Sequence, residues 1–374
     1  MKRDARENRN GKVFLFAGGG TGGHLYPALA IADKIKETRP SAEIHFVGTA
    51  RGIEARVIPE TGYPIHYISV RGVRRALTLR NLWVPFSLLK SLIQSAAIVS
   101  KIKPDVVIGT GGYVSGPILF VAHFLGYRTL VQEQNSYPGV TTRLLARIAD
   151  RVHISFEESE KYFKHKEKLR LTGNPVRDFL PLQDKKEARR KFQLDPNRPT
   201  VLIFGGSQGA LSINRVVAEA LDRILRDSGA QIIWSTGKTG YTMASEKATQ
   251  YQGRLWVSEF ISDMAAAYAA SDVVVARAGA ISLAEITNCG LPSILIPYPY
   301  AAGDHQMTNA RALQALGAAV VIPEKELNAD VLAEALLGLL ADEERRKRMA
   351  EAAKKAAFPD AAERIVQSIF DLIN

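Results

Sequence analysis

Three glycine-rich segments each follow a short apolar run and precede a helical pattern. They are Gly18-Gly19-Gly20-Thr21-Gly22-Gly23-His24, Gly109-Thr110-Gly111-Gly112-Tyr113 and Gly205-Gly206-Ser207-Gln208-Gly209-Ala210, and the runs before them cover residues 13–17, 106–108 and 201–204. A strand that turns through glycines into a helix presents backbone N–H groups at the positive end of the helix dipole. That geometry holds phosphate or diphosphate. The first and third segments lie in different halves of the chain. The pattern therefore predicts two nucleotide-binding-type α/β domains, with function in the cleft between them.

The remaining sequence alternates between the same two kinds of element. Residues 44–48 and 129–132 also read as buried parallel strands in the first half, and 231–235, 255–257, 273–276, 293–297 and 319–322 in the second. Helical patterns cover 28–37, 83–102, 211–226, 280–288, 308–316 and 329–340. Such alternation argues α/β architecture, with parallel sheets covered by helices on both faces. Gly173-Asn174-Pro175 and the polar, basic stretch 182–199 mark the junction. The expected division is 1–173 and 174–356, with an amphipathic terminal helix in 357–374 returning to the first domain. A length of 374 residues suits two such domains.

The formal net charge is +11. Its distribution favours an anionic membrane or an anionic substrate over nucleic acid. The single cysteine, Cys289, rules out an internal disulfide and suits a reducing compartment. The first twelve residues are polar and lack the apolar core of a signal peptide. No uncharged apolar run reaches the roughly 18 residues of a membrane span, so a soluble or peripheral protein is expected. Residues 71–103 carry seven basic side chains and no acidic one, interleaved with Leu77, Leu79, Leu82, Trp83, Phe86, Leu88, Leu89, Leu92 and Ile93. Basic charge beside an apolar, aromatic face reads either as an interfacial surface for anionic lipid or as a core-facing helix with a solvated basic side.

Gly18, Gly20 and Gly23 satisfy the dinucleotide fingerprint, yet the second strand ends Phe46-Val47-Gly48-Thr49 without the ribose-binding acid that fingerprint needs. Gly237-Lys238-Thr239 resembles the end of a phosphate loop, but Ile232 stands where that motif requires glycine. Residues 205–210 are the better diphosphate cradle, with Ser207 able to cap a phosphate. A second helix start follows at Arg277-Ala278-Gly279-Ala280, and Glu285 lies about two turns beyond, where a carboxylate can accept from a ribose diol or a sugar. His24, at the mouth of the first glycine segment, suits a general base near neutral pH. Glu133 is a further catalytic candidate just past a strand end. There is no nucleophile elbow, no Cys/His cluster at metal spacing and no paired aspartates for Mg²⁺. No metal and no cofactor are expected. A nicotinamide oxidoreductase and a nucleotide-sugar binder or epimerase remain as other function classes.

Seven motifs, in order along the chain, resemble the MurG family of bacterial cell-wall synthesis. They are Gly-Gly-Thr-Gly-Gly-His at 19–24, Gly-Thr-Gly-Gly-Tyr-Val-Ser-Gly-Pro at 109–117, Glu-Gln-Asn at 133–135, Gly-Asn-Pro-Val-Arg at 173–177, Gly-Gly-Ser-Gln-Gly-Ala at 205–210, Phe-Ile-Ser-Asp-Met at 260–264 and Asp-His-Gln at 304–306. The resemblance implies a GT-B fold of two Rossmann-like domains facing a deep cleft. It implies an inverting, metal-independent transfer of GlcNAc from UDP-GlcNAc to the C4 hydroxyl of MurNAc in lipid I, forming lipid II at the cytoplasmic face of the membrane. By that resemblance the donor site includes Thr21, Gly22, Gly23, Asn135, Arg177, Ser207, Ile261, Ala280, Ile281, Ser282, Leu283, Ala284, Glu285 and Gln306. The backbone of Ile261 is expected at uracil, Glu285 at the ribose and Gln306 at the sugar. Some family members carry two glutamines where this chain has His305-Gln306.

Overall fold

A computed structural model of the chain describes residues 11–70, 84–176, 182–206 and 209–373, with residues 84 and 85 as backbone only. The chain divides into two compact units, Met1–Val176 with Asp360–Asn374, and Arg177–Pro359.

The first unit runs β1 (Val13–Gly18), α1 (Gly22–Thr38), β2 (Glu43–Gly48), α2 (Glu54–Glu60), β3 (Ile65–Tyr67), α3 (Val84–Ile102), β4 (Val106–Gly111), α4 (Gly112–Phe124), β5 (Arg128–Glu133), α5 (Val140–Leu145), β6 (Arg151–Ile154) and β7 (Leu169–Leu171). Its seven strands are parallel, in the order β3-β2-β1-β4-β5-β6-β7. The central strands read as unbroken apolar runs because both faces are covered. Phe14, Phe16, Ile44 and Phe46 pack on one face against Leu25, Ile31 and Ile35 of α1. Leu15, Ala17, Val107 and Val131 pack on the other against Val114, Ile118 and Leu119 of α4.

The second unit begins with α6 (Lys185–Lys191), inside the stretch expected as a polar junction. Asp184 caps it, accepting from the Lys186 and Glu187 amides at 2.9 and 3.0 Å. Its Arg189 is buried, with an ion pair to Asp272 at 2.6 Å. The unit continues β8 (Thr200–Phe204), α7 (Leu211–Ser228), β9 (Gln231–Ser235), α8 (Tyr241–Gln250), β10 (Leu255–Ser258), α9 (Met264–Ala270), β11 (Val273–Ala276), α10 (Ala280–Asn288), β12 (Ser293–Leu295), α11 (His305–Ala315), β13 (Ala319–Val321), α12 (Ala329–Ala341) and α13 (Glu343–Lys355). Six parallel strands take the order β10-β9-β8-β11-β12-β13.

The last helix, α14 (Ala361–Ile373), belongs to the first unit. Ile365, Val366, Ile369 and Phe370 fall on one face at helical spacing and enter the core around Phe14. The Arg39 guanidinium lies 3.9 Å over the Phe370 ring. Arg151 donates to the carbonyl and hydroxyl of Ser368, both at 2.8 Å, and Lys34 pairs with Glu363 at 2.8 Å. His153 is fully buried, with Nε2 3.0 Å from Ser368 Oγ and Nδ1 3.3 Å from Thr172 Oγ1.

Candidate active site

In each sheet the strand order reverses direction at one place, between β1 and β4 in the first unit and between β8 and β11 in the second. Ligands of open parallel sheets bind outside the carboxyl ends of the strands at that point. The first two glycine segments overlap the carboxyl ends of β1 and β4, and the third segment and the helix start at Gly279-Ala280 follow β8 and β11.

In the first unit, the two glycine loops interlock around His24. Thr110 Oγ1 donates to the His24 carbonyl at 2.7 Å, and Ser115 Oγ donates to the Ala17 carbonyl at 2.6 Å. A Cβ at Gly111 would stand 2.7 Å from His24 Cδ2, and Gly112 takes the left-handed φ of +79° directly beside Gly19 and His24. Only glycine lets the second loop lie against the imidazole. His24 Nδ1 is 3.2 Å from the Gly19 carbonyl and 3.2 Å from Thr21 Oγ1. Because a carbonyl only accepts, Nδ1 carries the proton, and Nε2 of the neutral ring is the basic nitrogen. Thr21 is exposed at the start of α1, followed by Gly22 and Gly23 in its first turn.

Glu133, at the end of β5, is 2% exposed. Its Oε1 accepts from the Asn135 backbone at 3.0 Å and from Asn135 Nδ2 at 3.3 Å, and its Oε2 accepts from the Gly139 amide at 3.1 Å. Both oxygens therefore hold the loop that presents Asn135. Beneath it a buried amide network joins Gln132, Gln134, Ser155 and Asn174, and Gln134 Nε2 reaches the Thr110 carbonyl at 2.8 Å.

In the second unit, Asn214 of α7 ties that helix to the end of β9. Its Nδ2 donates to the Thr236 carbonyl at 2.7 Å, and its Oδ1 accepts from Trp234 Nε1 at 3.1 Å. Ser207 and Arg177 lie outside the described residues. Helix α10 starts from Gly279, which places no side chain in front of the first-turn residues Ala280, Ile281 and Ser282. Leu283 faces inward, and Ala284 is half-buried. The Tyr268 hydroxyl, fully buried, donates to Glu285 Oε2 at 2.8 Å and fixes that carboxylate. Burial first, and the Glu285 charge second, hold the Tyr268 hydroxyl well above the usual phenol range. The same two causes push the Cys289 thiol up to about 12, so this cysteine is packing, not a nucleophile.

Gln306 Oε1 accepts from the Tyr298 amide at 2.9 Å, which assigns the other end of the side-chain amide as its NH₂ donor. The neighbouring His305 Nδ1 is 2.8 Å from the Ala302 carbonyl. Ile261 is 2% exposed and anchors the loop after β10. Arg277, also buried, donates to the Ile296 carbonyl at 3.1 Å and to Ser212 Oγ at 3.0 Å, and pairs with Glu324. Sequence reasoning did not single out Asn214, Tyr268 or the role of Arg277. Each is an isolated polar residue whose importance rests on burial, which no periodic pattern reveals. Among the described residues no cluster of His, Cys, Asp or Glu could hold a metal.

Residues 14–154 match the glycosyltransferase family 28 N-terminal domain, and residues 200–365 match its C-terminal domain. A protein of Chlorobium luteolum named UDP-N-acetylglucosamine--N-acetylmuramyl-(pentapeptide) pyrophosphoryl-undecaprenol N-acetylglucosamine transferase is 47% identical over 96% of this chain and 98% of its own length. The chain belongs to the MurG family of glycosyltransferases. A relative of the same name from Acetivibrio thermocellus is 46% identical over 96% of this chain and 98% of its own length. The crystal structure of Acinetobacter baumannii MurG superposes with a TM-score of 0.76 at 28% identity, covering 96% of this chain and 99% of that one. This is an α/β glycosyltransferase with two Rossmann-like domains.

Proposed function

We propose that this glycosyltransferase moves N-acetylglucosamine from UDP-GlcNAc to the C4 hydroxyl of MurNAc in lipid I, forming lipid II for peptidoglycan synthesis. The near full-length identity to relatives that carry this activity in their names supports the choice of substrates. The observation that carries the donor assignment is Glu285, held by Tyr268 on the helix that follows β11, beside the strand that feeds the third glycine loop. A carboxylate so fixed accepts from both hydroxyls of a ribose. The Ile261 backbone takes the uracil. Ser207, Arg177 and the first-turn amides at Ala280, Ile281 and Ser282 take the diphosphate. The NH₂ of Gln306 takes the sugar, and Thr21, Gly22, Gly23 and Asn135 complete the substrate-binding set.

The reaction is a single displacement. The acceptor O4 attacks C1 of GlcNAc as the bond from C1 to the β-phosphate oxygen breaks, and UDP leaves with the electron pair. His24 Nε2 takes the O4 proton, and the configuration at C1 inverts. Charge on the departing diphosphate is met by backbone amides, helix dipoles and Arg177, so no metal is needed. Glu133 serves this step by holding Asn135.

The acceptor's lipid tail calls for a membrane-facing surface. No helix among the described residues is long and apolar enough to cross a membrane. Helix α3 exposes Phe86, Leu89 and Ile93, α4 exposes Tyr113, Phe120 and Phe124, and α5 exposes Val140 and Leu144. Residues 71–83, which carry the basic cluster Arg71, Arg74, Arg75 and Arg80, lie outside the described residues. Exposed Lys90 adds charge on α3. The first unit thus docks as a peripheral protein on an anionic cytoplasmic leaflet. A thermal-shift comparison tests the donor class: UDP raises the melting temperature and NADH does not. Stabilisation by NADH alone contradicts the assignment.

A further inference from the structure

Glu54 is 1% exposed, lies in the first turn of α2, and has no place in the transfer as described. Its Oε2 accepts from the Gly20 amide at 2.8 Å. Its Oε1 accepts from the Thr49 amide and the Thr49 hydroxyl, both at 2.9 Å. The carboxylate is pressed onto the first glycine loop: a Cβ on Gly19 would meet its carboxyl carbon at 2.5 Å, and one on Gly52 would overlap both its oxygens. The Gly20 N–H and the Gly19 carbonyl belong to one planar peptide unit, and they point in opposite directions. One end of that unit is held by Glu54. The other end lies 3.2 Å from His24 Nδ1.

We infer that Glu54 is a positioning residue for His24, acting through this single peptide unit; the inference rests on the reading of His24 as the base. Glycine at 19 and 20, the latter at φ +83°, leaves the intervening peptide free to flip. Flipped, it would aim N–H at His24 Nδ1 and carbonyl at Glu54. Nδ1 would then have to accept, the proton would move to Nε2, and the nitrogen that faces away from the loop would no longer be a base. A carboxylate cannot donate, so Glu54 forbids the flip. Thr21 Oγ1 can donate or accept, so it follows whichever tautomer the peptide sets. The bond to a charged acceptor also polarises the peptide, which makes the Gly19 carbonyl a better partner for an imidazolium. The arrangement does for His24 what a directly bonded carboxylate does in a catalytic triad, with one peptide interposed.

The test is the tautomer of His24 in the full-length protein with ¹⁵N-labelled histidine, its signals identified by their loss in His24→Ala. The wild type should show Nδ1–H. Glu54→Gln, which keeps the shape and removes the charge, should shift the ring toward a mixed or Nε2–H state, and Glu54→Ala should shift it further. Thr49→Val, which removes one bond to the same carboxylate without touching Gly20, should leave the ring as in the wild type. In steady state, Glu54→Gln should lower kcat by about tenfold and move the acid limb of the pH profile to lower pH, with KM for UDP-GlcNAc unchanged. An Nε2–H ring in the wild type, or a ring unaltered in both Glu54 variants, overturns the inference. Should Glu54→Ala not fold, the wild-type spectrum and the Gln variant decide. His24→Ala with normal turnover would instead overturn the reading of His24 as the base and leave the tautomer result standing.

Discussion

His153 sits fully buried between Thr172 and Ser368, where α14 closes on the first sheet. Burial, with the nearby Arg151 and Arg170 charges, pushes its imidazole from 6.5 down to about 3. Above pH 6.5 both the folded and the unfolded chain hold it neutral, and it adds no pH dependence. Below 6.5 the unfolded chain takes a proton that the folded one refuses, so stability falls as pH drops from 6.5 toward 3. At pH 5 the difference spans about 1.5 pH units, a loss of about 2 kcal/mol relative to pH 7.5. His153→Gln retains a polar side chain without a titrating ring, so its stability should fall about 2 kcal/mol less over the same interval. The measurement is urea unfolding at both pH values, read by deuterium exchange of peptides covering 151–154 and 361–373, which report the first unit alone. Other carboxylates and histidines cancel in the difference between wild type and variant. Parallel pH dependences would show that His153 protonates in place, and would refute the buried, neutral clamp on α14.

His24→Ala and Glu285→Ala should separate the two halves of the chemistry. The first should depress kcat by about 10²–10⁴-fold with UDP affinity little changed. The second should lower kcat/KM for UDP-GlcNAc by about 10–100-fold, the loss of a charge-assisted hydrogen bond. The reverse pattern would exchange their roles. Co-sedimentation with anionic vesicles should weaken in high salt, each basic side chain near the surface contributing about 1 kcal/mol. A Phe86/Leu89/Phe124→Ser variant should lose the salt-resistant part of binding yet glycosylate a soluble acceptor analogue. Undiminished binding by that variant would place the membrane contact elsewhere.

The central strands of both sheets were legible because each is buried on both faces and reads as a continuous apolar run. Residues 231–235 and 273–276 coincide with β9 and β11, and 280–288 with α10. The edge strands β3 and β7, and β6 beside β7, were not legible. Ile65-His66-Tyr67, Arg151-Val152-His153-Ile154 and Leu169-Arg170-Leu171 are short and interrupted by polar residues, with no run to recognise. Helix α1 starts at Gly22, six residues ahead of the expected start at residue 28. Gly22, Gly23 and Pro27 have poor helix propensity, and tertiary packing overrides it. Glycine spacing located the candidate site, since a backbone that must approach another group announces itself in composition. Of the carboxylates that brace loops, Glu133 was legible from its place just past a strand end, whereas Glu54 differs from surface acids only in its burial.

The most direct test of the account is transfer of labelled GlcNAc from UDP-GlcNAc to a lipid I analogue in excess EDTA, with the anomeric configuration of the product read by NMR. The account predicts metal-independent formation of a β-linked disaccharide and release of UDP. No transfer, transfer only after a divalent metal is restored, or an α-linked product would contradict it.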